Sequence, residues 1–324
     1  MSNFWKEKIK IGNQSFPRFM AAPMDGITDS PFRQIVREFS REELLFTEMR
    51  HVDTVVNAKD ELSLKYNKIE QPLAFQFSAN KTNLIPQAVK KVLDKNFIQI
   101  NLNSGCPAKN IVKSGSGSAL MANPELLKEI IIAMQKEING KVPFTLKIRS
   151  GFLVKNAPEI AEMAQDLGVD AIIIHPRTRN EKFFGNLDFE LVQKIKNKLT
   201  IPVIFSGSIT DFAAAKNIYE KTGCDGFMIG RALWGAPWKL EELKLESENK
   251  TLKIDMKTKL KLSLKHLKLN PDFYGPNGFQ KLKSHLAHYI TKIKSAAQIR
   301  RELLETTNEQ EMKTNLEELL KNYK

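Results

Sequence analysis

Residues 100–109, Ile-Asn-Leu-Asn-Ser-Gly-Cys-Pro-Ala-Lys, end an apolar run at Asn103 and set Cys106 just beyond it. A thiol held in a small-residue turn and followed by proline is placed to do chemistry. Thiols titrate at about 8.5, so one can act as a proton donor near neutrality; the bland alternative is an inert buried thiol. Lys147 interrupts the run Phe-Thr-Leu-Lys-Ile (144–148). A cation without a partner is costly there, so the position calls for an anionic or carbonyl-rich ligand, or for an acidic neighbour. His175 closes the run Ala-Ile-Ile-Ile-His, and Gln76 stands late in Pro-Leu-Ala-Phe-Gln-Phe. Taken singly, each also reads as a core residue satisfied by its own backbone neighbours.

The elements that must position these groups form a regular series. Short β-rich runs fall at 18–23, 44–49, 72–77, 97–102, 143–148, 170–175, 201–206 and 225–230. Runs this apolar fit strands covered on both faces. Helical patterns lie between them. Asn123 is the expected N-cap of one, with Pro124 at its first position and Gly140 as its terminator. Two others are expected to end at Gly168 and Gly223. Eight β-α units match a (β/α)8 barrel, with fold class α/β. A doubly wound dinucleotide fold is rejected, because Gly115-Ser-Gly117 has Leu120 where the third glycine belongs. Upstream, Ile-Lys-Ile-Gly-Asn-Gln-Ser-Phe reads as a hairpin under the barrel floor.

Function in such a barrel collects at the carboxyl ends of the strands. In chain order these are Pro23-Met24, Gln76, Asn103 with Cys106, Lys147, His175, Ser206-Gly207-Ser208 and Gly230-Arg231. The last two carry glycine at strand-to-helix turns, where free backbone N–H groups hold phosphate, and Arg231 adds a charged fork. Two ordinary tight turns are the plain alternative. One phosphate cradle, a lysine, a histidine and a glutamine around an apolar mouth suit a phosphorylated planar cofactor. FMN fits better than a dinucleotide.

The 324 residues, 42% of them hydrophobic, can bury a barrel-sized core and a smaller second one. We expect domains at 1–240 and 252–324, the latter a smaller all-helical C-terminal domain, divided by a polar stretch near 240–251. No apolar run reaches membrane-helix length and no signal peptide is evident, so a soluble cytoplasmic protein is expected, with no membrane association. Two distant cysteines and five histidines without a His-x-x-x-His pair give no reason to expect a metal. The formal net charge of +13 is concentrated between Lys257 and Arg301, through Lys259, Lys261, Lys265, Lys268, Lys281, Lys283, Lys292, Lys294 and Arg300. Either a polyanionic partner such as nucleic acid or a solvated lysine-rich surface accounts for it.

Several motifs together resemble one family. Ala-Ala-Pro-Met-Asp-Gly-Ile-Thr-Asp-Ser-Pro-Phe-Arg (21–33), Asn-Leu-Asn-Ser-Gly-Cys-Pro-Ala-Lys (101–109), Thr-Leu-Lys-Ile-Arg-Ser-Gly-Phe (145–152), His-Pro-Arg-Thr-Arg (175–179), 202–210 and 228–238 closely resemble the tRNA-dihydrouridine synthases. The segment 272–290 looks like the helical domain of their bacterial B-type branch. The match runs from about residue 16 to 289. The chain departs from the family at Asp25, Pro176 and Ser206, where many members carry Ala, Gly and Asn.

The resemblance implies an FMN enzyme that reduces the C5–C6 double bond of D-loop uridines in tRNA, with NADPH (or NADH) as reductant, acting as a monomer. Cys106 would protonate C5, a task suited to a thiol that stays mostly protonated yet gives up its proton readily. Pro23, Met24 and Asp25 would lie along the flavin. Gln76, Lys147 and His175 would contact the ring system. Ser206, Gly207, Ser208, Gly230 and Arg231 would take the phosphate. Asn103 would face the uracil or flavin edge, and Arg177 and Arg179 would reach the substrate nucleotide. The loop from Lys109 to Ser118 resembles a lid that closes on that nucleotide. Lys281 and Lys283, with His285 and His288 near one helical face, would meet tRNA phosphates or plain solvent. Phe273 and Tyr274 would stack on bases or pack inward. Two other classes stay open at this level: an FMN barrel reducing a small activated alkene, and a catalytically silent RNA-binding protein.

Overall fold

The computed structural model describes residues 3–58, 62–291 and 293–323; Lys292 of the basic run lies outside them. A short antiparallel hairpin, β1 (Ile9–Ile11) and β2 (Gln14–Phe16), turns at Gly12, whose φ of 56° suits a residue without a Cβ. Its buried Ile9, Ile11 and Phe16 pack with Met20, Phe46, Ala171, Ile173, Ile204 and Met228, so the hairpin plugs one end of the strand array.

That array consists of parallel strands β3 (Phe19–Ala21), β4 (Leu45–Phe46), β6 (Leu73–Ser78), β7 (Gln99–Ser104), β8 (Phe144–Arg149), β9 (Ala171–His175), β10 (Val203–Ser206) and β11 (Gly226–Ile229), with β5 (Arg50–His51) extending the edge of β6. The hydrogen-bonded order runs β3-β11-β10-β9-β8-β7-β6-β4, and Ala21 N donates to Leu44 O at 3.0 Å to join its two ends. This is the expected (β/α)8 barrel. Helices α2 (Val52–Asn57), α3 (Ile85–Leu93), α4 (Lys109–Lys113), α5 (Pro124–Ile138), α6 (Ala157–Asp166), α7 (Phe189–Lys198) and α8 (Phe212–Thr222) follow the strands. Their ends follow local chemistry. Asn123 Oδ1 accepts from Leu126 N to cap α5, and the left-handed turn that stops it begins at Asn139, one residue before Gly140. Gly223, φ 65°, closes α8 as its type requires.

The chain divides into two compact units. The barrel unit comprises Met1–Pro23, Glu42–Tyr66 and Gln71–Gly230; the other comprises Met24–Arg41, Asn67–Glu70 and Arg231–Lys324. The composition break at 240–251 is therefore not where contacts divide. Helix α9 (Lys239–Ser247), within the expected polar linker, already belongs to the helical unit, along with α1 (Ser30–Val36) far upstream. The remaining helices of that unit are α10 (Met256–Tyr274), α11 (Phe279–Tyr289), α12 (Ala296–Glu305) and α13 (Glu309–Lys321). Its core gathers Ile35, Trp238, Leu260, Leu267, Leu282, Leu286, Tyr289 and Leu316. Lys257, Lys261, Lys265 and Lys268 stand exposed at helical spacing on α10, while Leu260, Ser263, Leu267 and Asn270 are buried. No helix among the described residues is long and apolar enough to cross a membrane.

Candidate active site

Strand register decides which side chains share the barrel interior. Residues directly opposite on parallel strands face the same way. Ile173 lies in the interior cluster; Lys147 pairs with Ile173, Asn103 with Lys147, and Gln76 with Asn101. Thr145, Lys147 and Arg149 therefore all point inward along β8, as do Gln99, Asn101 and Asn103 along β7. One side of the interior is polar, and the side built by β3, β10 and β11 is apolar.

Lys147 is half-buried. Part of its surface opens on the barrel mouth, yet burial pushes its ammonium down to about 8; Arg149 adds to this, and Cys106 opposes it. It has no carboxylate partner among the described residues, so the expected acidic neighbour is missing and the anionic-ligand reading gains. Cys106, a free half-buried cysteine, sits at the end of β7. Its N–H donates to Asn103 Oδ1 at 2.9 Å, and its carbonyl accepts from Ser118 N at 3.0 Å. Gly117, φ 60°, is forced by the same turn: a Cβ there would stand 2.9 Å from Cys106 O. The 109–118 loop thus folds as α4 and a 3-10 turn (Gly117–Ala122) against the cysteine, with Lys109 exposed at its start. Cys224, by contrast, is fully buried, and burial pushes its thiol up to about 12.

His175 ends β9. Arg177, expected at the substrate, is instead nearly buried and held by protein atoms: Nη1 lies 3.3 Å from His175 Nε2, Nη2 donates to Ser208 Oγ at 3.1 Å, and Nε donates to Gly185 O. It braces His175. Arg179 is more open, with its guanidinium 5.3 Å from the Phe152 ring, and Phe184 on the same loop is 90% exposed. At the end of β10, Gly207 takes φ 125° and Ser208 takes φ 52°. A Cβ on Gly207 would meet His175 Cδ2 at 2.7 Å. The N–H groups of Gly207 and Ser208 make no backbone hydrogen bond among the described residues. Adjacent backbone N–H groups left free at such a turn can serve as an anion-binding nest. Together with the unpaired Lys147, it fits a phosphorylated, electron-rich ring cofactor such as a flavin. Pro23 follows β3, and Gly230 follows β11. Met24, Asp25 and Arg231 belong to the helical unit: Met24 opens a turn in which its N–H donates to Thr28 Oγ1 at 2.8 Å, Asp25 is exposed, and Arg231 begins a 3-10 turn.

Sequence reasoning missed Arg149. It is 2% exposed, and donates to Gly105 O at 2.7 Å, Thr178 O at 3.0 Å and Lys182 O at 2.8 Å, tying the cysteine turn to the loop after β9. Burial lowers it to about 10. Asn101 and Thr145 were missed as well. The two-residue step from Lys147 and Asn103 was the available signal. In the helical unit, Lys281 is exposed 5.4 Å from the Tyr274 ring, whereas Lys283 donates to Thr306 O at 2.8 Å. His285 does not lie on a solvated face: it is buried and stacked on Phe32 at 4.8 Å. His288 stacks on Trp234 at 4.1 Å. Phe273 and Tyr274 are half-buried, and Tyr274 OH donates to Asp29 Oδ2 at 2.9 Å. Asp29, His266 and His285 bring ligand-type atoms within 4.8 Å of one another, though Asp29 Oδ1 also caps Phe32 N.

A parallel barrel whose strand ends carry free backbone N–H groups after β10, a lysine with no carboxylate partner among the described residues, and a thiol suits a cofactor-dependent enzyme class. Comparison with known proteins narrows it. The family model "Dihydrouridine synthase (Dus)" matches residues 20–324. A probable tRNA-dihydrouridine synthase of Rickettsia bellii is 34% identical over 302 residues, covering 90% of this chain and 91% of that protein. The tRNA-dihydrouridine synthase B of Escherichia coli K12 is 33% identical over 301 residues, covering 90% and 93%. The old yellow enzyme homologue of Zymomonas mobilis shares the fold at a TM-score of 0.58 and 12% identity, covering 80% of this chain and 96% of that one. Histamine dehydrogenase from Rhizobium sp. 4-9 does so at 0.59 and 13%, with 82% of this chain spanning 51% of that one. The chain belongs to the dihydrouridine synthase family, in its B-type branch.

Proposed function

We propose that this chain reduces the C5–C6 double bond of D-loop uridines in tRNA, with FMN at the barrel mouth and NADPH or NADH as reductant. One observation carries the reading: the Cys106 turn and Lys147 leave adjacent strands at the same level, with Asn103 paired to Lys147. When bound, the flavin supplies the hydride that C6 of the uracil receives. The Cys106 thiol gives its proton to C5, so that hydride and proton together saturate the bond, and solvent then reprotonates the sulfur. Lys147, with no carboxylate partner among the described residues, would hold the electron-rich edge of the ring system, and Gln76 and His175 would contact it as well. Arg177 positions His175. Ser206, the Gly207–Ser208 turn and Gly230 would take the phosphate. Pro23, which follows β3 in the barrel unit, keeps the place along the flavin that the family resemblance gives it.

The uridine must leave its stack to reach a barrel mouth. Asn103 borders its pocket, Lys109 and Arg179 meet its phosphates, and Phe184 offers an exposed ring to a neighbouring base. Lys281, exposed on the helical unit, would meet a tRNA phosphate, whereas Lys283, bonded to Thr306 O, serves mainly to hold the end of α12. A monomer working in the cytoplasm completes the reading. Replacing Cys106→Ala is expected to cut dihydrouridine formation by at least about 10²-fold, the usual worth of a placed general acid. FMN binding and NADPH oxidation should persist. Normal tRNA reduction by this variant would overturn the acid assignment.

A further inference from the structure

The polar side of the barrel interior is a single directed line of hydrogen bonds. The N–H groups of Gly105 and Cys106 donate to Asn103 Oδ1 at 3.0 and 2.9 Å. Asn103 Nδ2 donates to Gln76 Oε1 at 2.9 Å, and Gln76 Nε2 donates to Asn101 Oδ1 at 2.7 Å. Asn101 Nδ2 donates to Thr145 Oγ1 at 2.8 Å. Asn103 is 7% exposed, and Gln76, Asn101 and Thr145 are at most 1% exposed. A backbone N–H cannot become an acceptor. Its polarity therefore fixes the flip state of Asn103, and through it of Gln76 and then Asn101; reversing any one amide would set nitrogen against nitrogen. These groups are buried, so breaking the Asn103–Gln76 or Gln76–Asn101 link leaves a buried group unpaired, while Asn101 Nδ2 also has a longer contact to Thr145 O at 3.2 Å.

We propose that Asn101 and Thr145 are positioning residues for the reaction, setting the Cys106 turn from two and three side chains away and fixing which amide atoms Gln76 and Asn103 present at the mouth. This rests on the reading of Cys106 as the proton donor. It makes Asn103 first a cap of the cysteine turn: its Oδ1 already accepts from two N–H groups and cannot also serve the substrate. Gln99 supplies an internal contrast. Its Nε2 donates to the same Thr145 hydroxyl at 2.9 Å, but it lies off the line to the cysteine.

The test uses full-length protein and two readouts. The first is the rate at which iodoacetamide alkylates Cys106, with Cys224 as the buried internal control. The second is single-turnover reduction of tRNA by pre-reduced enzyme, measured beside NADPH oxidation. Thr145→Val keeps the shape and removes the hydroxyl acceptor, leaving Asn101 Nδ2 only the longer bond to the carbonyl of residue 145. It is expected to change the alkylation rate several-fold and to slow tRNA reduction roughly tenfold or more, as small misplacements of reacting groups do, with NADPH oxidation unchanged. Thr145→Ser should restore both. Gln99→Met, which loses a buried bond to the same hydroxyl, should alter neither. If Thr145→Val does not fold, Asn101→Ala breaks the line one link nearer and is read the same way. Unchanged alkylation and unchanged tRNA reduction in the folded variant overturn the inference, and so does an equal response in Gln99→Met. Neither result touches the Cys106→Ala test, so the two failures are distinct.

Discussion

With burial holding Lys147 down to about 8, its charge is lost just above neutral pH unless an anion binds. The sign follows from linkage: an anionic ligand binds the protonated lysine, so affinity is full below this value and declines as pH rises through it. FMN affinity, measured by fluorescence titration between pH 7 and 9, is expected to fall by at most about tenfold per unit above 8. Lys147→Met should bind more weakly and lose that slope; a slope retained in the variant would assign it to another group. Cys106, Lys147 and His175 were legible because each breaks an apolar run with a chemically active group. Arg149 was not, because an arginine at a strand end reads as a surface residue until its acceptors are known. Those carbonyls stand 44, 29 and 33 residues away in sequence. Arg177 is expected at the substrate from the family resemblance; its bonds to Gly185 O on its own loop and to Ser208 Oγ on the loop after β10 show only in the folded chain.

Among the elements, β7 was expected over 97–102 and spans Gln99–Ser104. Polar Asn101 and Asn103 look like the end of a strand, but a barrel interior can bury amides that bond one another. Helices α10 and α11 show the opposite error. Their charge suggests an outer face for His285, whereas their spacing buries it with His266 beside Phe32, Tyr289 and Asp29. Burial lowers His285 to about 3, with His288 adding to the effect and a backbone contact at Ile27 opposing it; burial also lowers His266, with His285 adding. Unfolded histidines take up a proton near about 6.5. The unfolded chain therefore binds more protons between that pH and about 3, and stability declines as pH falls through this window. A thermal midpoint that drops from pH 7 to pH 5 in the native chain, and drops less in His285→Gln, is the expected result. Parallel curves would assign the acid sensitivity elsewhere.

At the scale of the whole chain, the net charge of +13 finds an ordered outlet in Lys257, Lys261 and Lys268, exposed along α10; their neighbour Lys265 is paired with Glu38 at 2.5 Å. Reversing these three to Glu should weaken tRNA binding and flatten the dependence of log affinity on log salt by roughly 0.7–0.9 for each phosphate no longer neutralised. An unchanged salt slope in filter-binding assays would remove α10 from the interface. The barrel was legible from its eight spaced runs. The makeup of the helical unit was not, because three separate stretches of chain build it. Glu70, fully buried, meets Arg33 Nε at 2.6 Å and Ser30 Oγ at 2.5 Å, and its backbone carbonyl receives Arg37. Losing one partner of such a buried pair costs about 3–5 kcal/mol. The helical unit is therefore no cassette to be clipped at Arg231 and grafted onto a foreign barrel: such a cut would strand α1 with its apolar flank bare, and gene fusions in this family would have to carry the early segments along with the late ones.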